Sequence, residues 1–403
     1  MQLIFLAWRN LARNQRRTFI TALAITLGAL AIVVLQGLST AFIENLIGTK
    51  VQSKLGAVQV FRKGYIEADQ PLQFGLPADP QLIARIARVP RVTAVAPRID
   101  FDGLVSNGTE ATMFQATAID PQLEYRVCPK RQDKVSPGSL PLRGGQPGDM
   151  LIGKTLAESL GAGKGATLVM QAMGPLARTN ALDIEVSGFL PTADFAESRR
   201  VATVRLQFAQ ELLRMPGLVT SYVVGIADLR QAPGVAAQLR AELGSDYEVT
   251  TWADLDPTTR SRALTFEYAF FLVALVLFLL VATGIVNTML MAVYERVREI
   301  GTMLALGVGR SQVTALFLWE AGLLGSLSAG VGTGLGYAIV YLLGRQGITG
   351  HMAGGDTIVI YPRVGPGFLC AVLAFSIFGT ILSGLYPAWK AARLRPVEAL
   401  RAN

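Results

Sequence analysis

The stretch Asn287–Ala321, NTMLMAVYERVREIGTMLALGVGRSQVTALFLWEA, decides the fold. An uncharged run stops at Tyr294, and Glu295, Arg296, Arg298 and Glu299 arrive within five residues; a glycine-punctuated piece follows, and the chain turns apolar again. Val293, Val297, Ile300 and Leu304 fall on one helical face, while Arg296 and Arg298 flank Glu295 and Glu299 on the side expected to be exposed. Gly307 and Gly309 then break the helix. A short amphipathic helix lying on a membrane surface satisfies this pattern. A solvated loop that only sets topology satisfies it too.

Outward from this elbow, four windows carry no Asp, Glu, Lys or Arg: Thr18–Ile43, Tyr268–Tyr294, Ala321–Gly344 and Val364–Trp389. At about 1.5 Å per helical residue each reaches a hydrocarbon core of about 30 Å. Arg9, Arg13, Arg16 and Arg17 precede the first as in a signal peptide, but the apolar run continues through Leu35, Gly37 and Phe42 without a small-residue cleavage site, so it is read as a span. Half of the 403 residues are hydrophobic and 16% are charged, as expected of a membrane protein.

Charge gives the orientation. The N-terminal arginines, the elbow's Arg296, Arg298 and Arg310, and Lys390, Arg393, Arg395 and Arg401 at the C-terminus should all face the cytoplasm. The region Glu44–Glu267, expected outside, holds 24 basic and 24 acidic residues, so the net charge of +8 belongs to the membrane part. The basic balance thus reflects topology and argues against a nucleic-acid partner. Cys128 falls outside and Cys370 in the last span, which disfavours a disulfide between them and makes Cys128 an ordinary free thiol.

The outer region alternates strand and helix signals. GAVQVFRKGY reads as a strand; Asp79 and Pro80 open a helix bearing Leu82, Ile83, Ile86 and Val89; Asn107 and Gly108 separate two strands of a hairpin. Helix and strand then alternate as far as YEVTTWADLDP. The expected fold class is an α-helical membrane protein with four transmembrane helices plus an α+β extracytoplasmic domain of two subdomains inserted between helices 1 and 2. Pro137–Gly148, with clustered Pro and Gly, is the expected link between subdomains. The domains are drawn at 1–44, 45–264 and 265–403.

Chemistry is sparse. The single histidine, His351, is read as a solvent-facing loop residue and excludes a multi-His metal site or His-based triad. GAGKGAT, from Gly161, fails the phosphate-loop spacing and is read as a helix cap and turn. Catalytic, cofactor and metal residues are none. Gly330 stacks over Gly334 and Gly332 over Gly336, two small-residue faces for close helix packing. Glu320, the one acid in its apolar surroundings, is expected to have a structural or interfacial role, snorkelling to the interface, and a functional role is the alternative.

Three stretches resemble the MacB/FtsX-like permeases of ABC transporters, the family that includes the lipoprotein-releasing Lol permeases: WRNLARNQRRTFITALAITLG, ERVREIGTMLALGVGRSQV with FLWEA, and YPAWKAARLRPVEALR. TWADLDP is similar to the junction before the second span in Lol-like members. The resemblance implies that 45–264 is a MacB-like periplasmic core domain and 265–403 an FtsX-like permease domain. It makes the elbow, at about 296–313, a coupling helix docking on a separate cytoplasmic ATPase, two copies of which bind ATP and Mg. Glu295, Arg296, Arg298, Glu299, Gly301, Gly307, Gly309 and Arg310 are the coupling residues it implies.

The resemblance further implies a second permease subunit, identical or paralogous, mechanotransmission along the first two spans, and a periplasmic adaptor or lipoprotein carrier. In Lol-like members acyl chains sit between the first and second spans, so Phe42, Phe266, Phe270 and Phe271 are candidate cargo contacts, as well as aromatic anchors at the lipid interface. Lipoprotein or lipid-linked cargo is the preferred function for a chain of the bacterial inner membrane. MacB-like efflux of peptide, toxin or antibiotic, and FtsX-like signalling to cell-wall hydrolases, remain open.

Overall fold

A computed structural model describes residues 2–13, 15–133, 142, 148–190, 198–351 and 357–394. Most of the expected Pro137–Gly148 link, the side chain of His351 and the motif residues after Leu394 lie outside the described residues. The chain divides into two compact units, one of residues 1–44, 263–350 and 358–403 and one of 45–262 and 351–357.

Among the described residues four helices, lying mostly in the first unit, are long and apolar enough to cross a membrane: Gln15–Lys50, which continues as a π-helical turn Val51–Leu55, then Pro257–Glu295, Arg310–Gln346 and Pro366–Ala392. A short helix, Gln2–Arg13, precedes them. Small residues set their packing. A Cβ on Gly332 would stand 2.4 Å from the Thr26 carbonyl oxygen and one on Gly336 2.9 Å from Val33 Cβ, so this face of the third long helix lies against the first. Gly325 meets Thr380 of the fourth in the same way. Without a hydrophobic drive between helices in lipid, such close approach is what holds them. The second stacked pair behaves differently: Gly330 and Gly334 face open space.

In the second unit the strands are β1 Val58–Arg62, β2 Leu76–Pro77, β3 Val92–Ser106, β4 Ala111–Ile119, β5 Asp149–Gly153, β6 Thr167–Met173, β7 Thr179–Leu190, β8 Val201–Arg205, β9 Leu218–Val219, β10 Ser221–Ile226 and β11 Tyr247–Thr251. Nine of them form one sheet in the order β11-β1-β10-β3-β4-β8-β5-β7-β6, and an added β3–β6 pairing closes β3, β4, β8, β5, β7 and β6 into a ring. Where two subdomains were expected, residues 45–262 form a single compact unit, because β3, 15 residues long, runs through the whole sheet and its main hydrophobic core. Its first half pairs with β10 and its last residues with β6.

Local signals act where they stand in the sequence. Asp79 caps helix Pro80–Ala87 by accepting from the Gln81 amide at 2.8 Å. Asn107 shapes the hairpin by accepting from the Thr109 and Glu110 amides, with Gly108 at φ +95°. Gly161 and Gly165, at φ +59° and +82°, make the turn between helix Lys154–Ser159 and β6, the role read for GAGKGAT. Asp256 opens helix Pro257–Glu295, accepting from the Thr259 amide at 3.0 Å with Pro257 in the first position.

Candidate functional site

The elbow is a helix, Val297–Ala305, shorter than the expected 296–313, because Arg310 already begins the third long helix. Val293 and Ile300 are buried and Val297 and Leu304 half-buried, so the apolar face is the one read from spacing. Gly301 is buried within the helix. Gly307 ends the helix at φ +90°, a backbone state that penalises any Cβ. Gly309 is the N-cap of the next helix, and its amide donates to Gln312 Oε1 at 3.1 Å.

The charges depart from expectation. Arg296, placed on the exposed side by spacing, is only 7% exposed. It occupies the break between helices Pro257–Glu295 and Val297–Ala305, with φ −113° and ψ 17°, and that kink turns its side chain off the regular helical path. Its Nη1 reaches Glu320 Oε1 at 3.4 Å and its Nε reaches Glu299 Oε2 at 3.2 Å. Glu320 does not snorkel; it is 4% exposed and also accepts from Asn10 Nδ2 at 2.6 Å. A carboxylate with a guanidinium and an amide at hand has no need of the interface.

Two further bridges tie the elbow to the chain's beginning. Arg13 Nη2 lies 2.5 Å from Glu299 Oε1, and Arg17 Nη1 lies 3.0 Å from Glu295 Oε2. Exposed pairs such as Arg13–Glu299 contribute about 0–1 kcal/mol each, so they orient more than they stabilise. Together with Arg296–Glu320 they join the short N-terminal helix, the start of the first long helix, the end of the second, the elbow and the third long helix into one cluster. Spacing around the elbow does not reveal Asn10, Arg13 or Arg17. The available signal was the lone acid Glu320, which had to find a cation.

What remains on the surface is the outer face of the short helix and the end beyond it. Leu306 is 81% exposed, and Arg298, Thr302, Ala305, Gly309 and Arg310 are exposed beside it in sequence. Among the candidate cargo contacts, Phe42 and Phe266 pack edge to face with centroids 4.9 Å apart. Phe270 is half-buried, while Phe266 and Phe271 are exposed. Among the described residues no group of His, Cys, Asp and Glu could hold a metal.

Comparison with known proteins places both parts of the chain. The family of FtsX-like permease C-terminal domains matches residues 271–396, and that of MacB-like periplasmic core domains matches 18–242. The lipoprotein-releasing system transmembrane protein LolC of Xylella fastidiosa (strain 9a5c) is 26% identical over 346 residues, covering 77% of this chain and 78% of that protein. The macrolide export ATP-binding/permease protein MacB of Hyphomonas neptunium is 32% identical over 160 residues, 39% of this chain and 23% of that one. The uncharacterized ABC transporter permease YknZ of Bacillus subtilis is 36% identical over 118 residues, 29% and 27% of the two chains.

Proposed function

The chain belongs to the MacB/FtsX-like family of ABC transporter permeases, and from that premise we propose that it couples ATP hydrolysis in a separate ATPase to extraction of lipoprotein or lipid-linked cargo. The work is done on the outer side of the bacterial inner membrane, with both termini and the elbow cytoplasmic and residues 45–262 periplasmic. The observation that carries this reading is the elbow itself. An elbow tied to its neighbours by Arg13–Glu299, Arg17–Glu295 and Arg296–Glu320, with Leu306 projecting at its end, can take a push without slipping.

In this mechanism two ATPase copies, which hold ATP and Mg, press on the exposed end of the elbow. Leu306 supplies apolar contact and Arg298 and Arg310 supply orientation. The push passes through Glu299 to Arg13 and through Arg296 and Glu320 into the third long helix, and a second permease subunit completes the assembly. The preference for lipid-linked cargo rests on the match to LolC, which runs through more than three quarters of both chains. Phe42, Phe266, Phe270 and Phe271 are then the contacts for acyl chains. Export in the manner of MacB is the second reading, favoured by the match of residues 18–242 to its periplasmic core domain.

The test is purification from native membranes through a tag on this chain, followed by protein identification and lipid analysis. Lipoprotein or acyl chains recovered with an ATPase support the proposal. A periplasmic adaptor without lipid turns the assignment to export, a cell-wall hydrolase turns it to signalling, and absence of any ATPase overturns it.

A further inference from the structure

The inserted domain contains a buried charge cluster with no part in the mechanism above. Glu124 is fully buried and its Oε1 takes both Arg98 Nη2, at 2.5 Å, and Arg131 Nη1, at 2.9 Å. Burial favours neutral Glu124, yet the two guanidiniums outweigh it and hold its carboxyl below the usual range. Among the described residues Glu124 Oε2 and Arg98 Nε have no hydrogen-bond partner. Two cations, one anion and two orphaned atoms make a poor device for stability, since buried ion pairs seldom outperform a well-packed apolar core.

The same guanidiniums have a second set of partners. Arg98 Nη1 donates to the Lys54 carbonyl at 2.7 Å and Arg131 Nε to the Ser53 carbonyl at 3.2 Å. Cys128, 0% exposed, has its thiol pushed up by burial, so it stays protonated and donates to the Val51 carbonyl at 3.5 Å. Gln59 takes the Leu55 carbonyl at 2.7 Å. These carbonyls belong to the π-helical turn Val51–Leu55 that ends the first long helix, and a helix end leaves its last carbonyls unsatisfied and negative. The surplus positive charge of the cluster is therefore balanced by the helix end. Withdrawing that end would strand a buried guanidinium, so the helix end and β3, which carries Arg98, must move together.

Gly56 completes the attachment. At φ +67° it turns the chain into β1, and a Cβ there would stand 2.1 Å from Val223 Cγ1. The helix end is thus held by Arg98 of β3, by Cys128 at the C-cap of helix Pro121–Val127 and by Arg131 of Lys130–Asp133, and by the strand it runs into.

We propose that Arg98, Glu124 and Arg131 form the joint that fixes residues 51–55, the end of the first long helix, to the inserted sheet, acting as positioning residues for ATP-driven movement of the permease. The inference rests on that functional reading. The test uses the full chain in its native complex, with amide exchange followed with and without ATP and vanadate. Arg131→Met leaves Arg98 and Glu124 as a neutral pair, so the domain stays folded. Exchange at residues 51–56 should rise by about tenfold, the nucleotide-dependent change in β3 should vanish, ATP hydrolysis should persist, and Arg131→Lys should restore the response in β3. A merely structural cap would not separate hydrolysis from the response in β3.

A triple variant, Arg98→Met with Glu124→Leu and Arg131→Met, removes every buried charge and gives a second folded control. A response in β3 that survives both variants overturns the joint. A wild-type complex that hydrolyses ATP without any change in β3 overturns it as well. Purification without an ATPase removes the functional reading first and the joint with it.

Discussion

Arg296 and Glu320 stand 24 positions apart in sequence, on either side of the elbow, and meet with 3.4 Å between Nη1 and Oε1. Both are buried, so the pair closes the elbow into a loop of fixed size. Glu320→Ala leaves Arg296 buried with only the half-exposed Glu299 as its carboxylate partner and should cost about 1–3 kcal/mol. The double variant Arg296→Met with Glu320→Leu should recover most of that loss. Thermal unfolding of the detergent-solubilised chain checks both, and equal melting of Glu320→Ala and wild type would show that the pair bears no load.

Leu306 offers a different test because it is exposed and packs little. Leu306→Asp should leave the melting temperature unchanged while weakening ATPase retention by about tenfold, or about 1.4 kcal/mol. The measurement is the ATPase recovered with the tagged chain at increasing salt. Full retention would move the docking surface elsewhere.

The two glycine faces of the third long helix should respond in opposite ways. Gly332→Ala puts a methyl against the Thr26 carbonyl and should destabilise by about 1–3 kcal/mol. Gly334→Ala meets open space and should be neutral or gain up to about 1 kcal/mol from helix propensity. Melting of the two variants side by side decides the matter.

Glu124 makes acid stability a readout of the buried cluster. Its folded pKa is lowered from the ordinary 4.5, so its contribution is complete above that value and is lost as pH falls below it toward the depressed one. Melting of the full chain followed from neutral pH into this acid range should fall more steeply for wild type than for Glu124→Gln, which lacks the titrating group. Parallel curves would remove Glu124 as a contributor.

Much of this was legible in the residues themselves. The apolar windows, the amphipathic elbow, the Asp79 cap and the Asn107–Gly108 hairpin depend on neighbours within a few positions, which is the range over which periodicity and capping act. The assignment of Arg296 to an exposed face failed because a kink at that residue interrupts the helical period on which the assignment relied. The expected snorkelling of Glu320 failed because its partners, Asn10 and Arg296, come from other elements.

The sequence alone determined the membrane character, the placing of the inserted region between apolar windows, and the position of the elbow, because hydrophobic length and charge patterning are local and additive. Only the tertiary structure decided which charges are buried together, which glycine face lies against a neighbouring helix, and that Arg98, Glu124 and Arg131 hold the end of the first helix. Those relationships join residues tens to hundreds of positions apart, and a buried charge is tolerable only where folding delivers its partner.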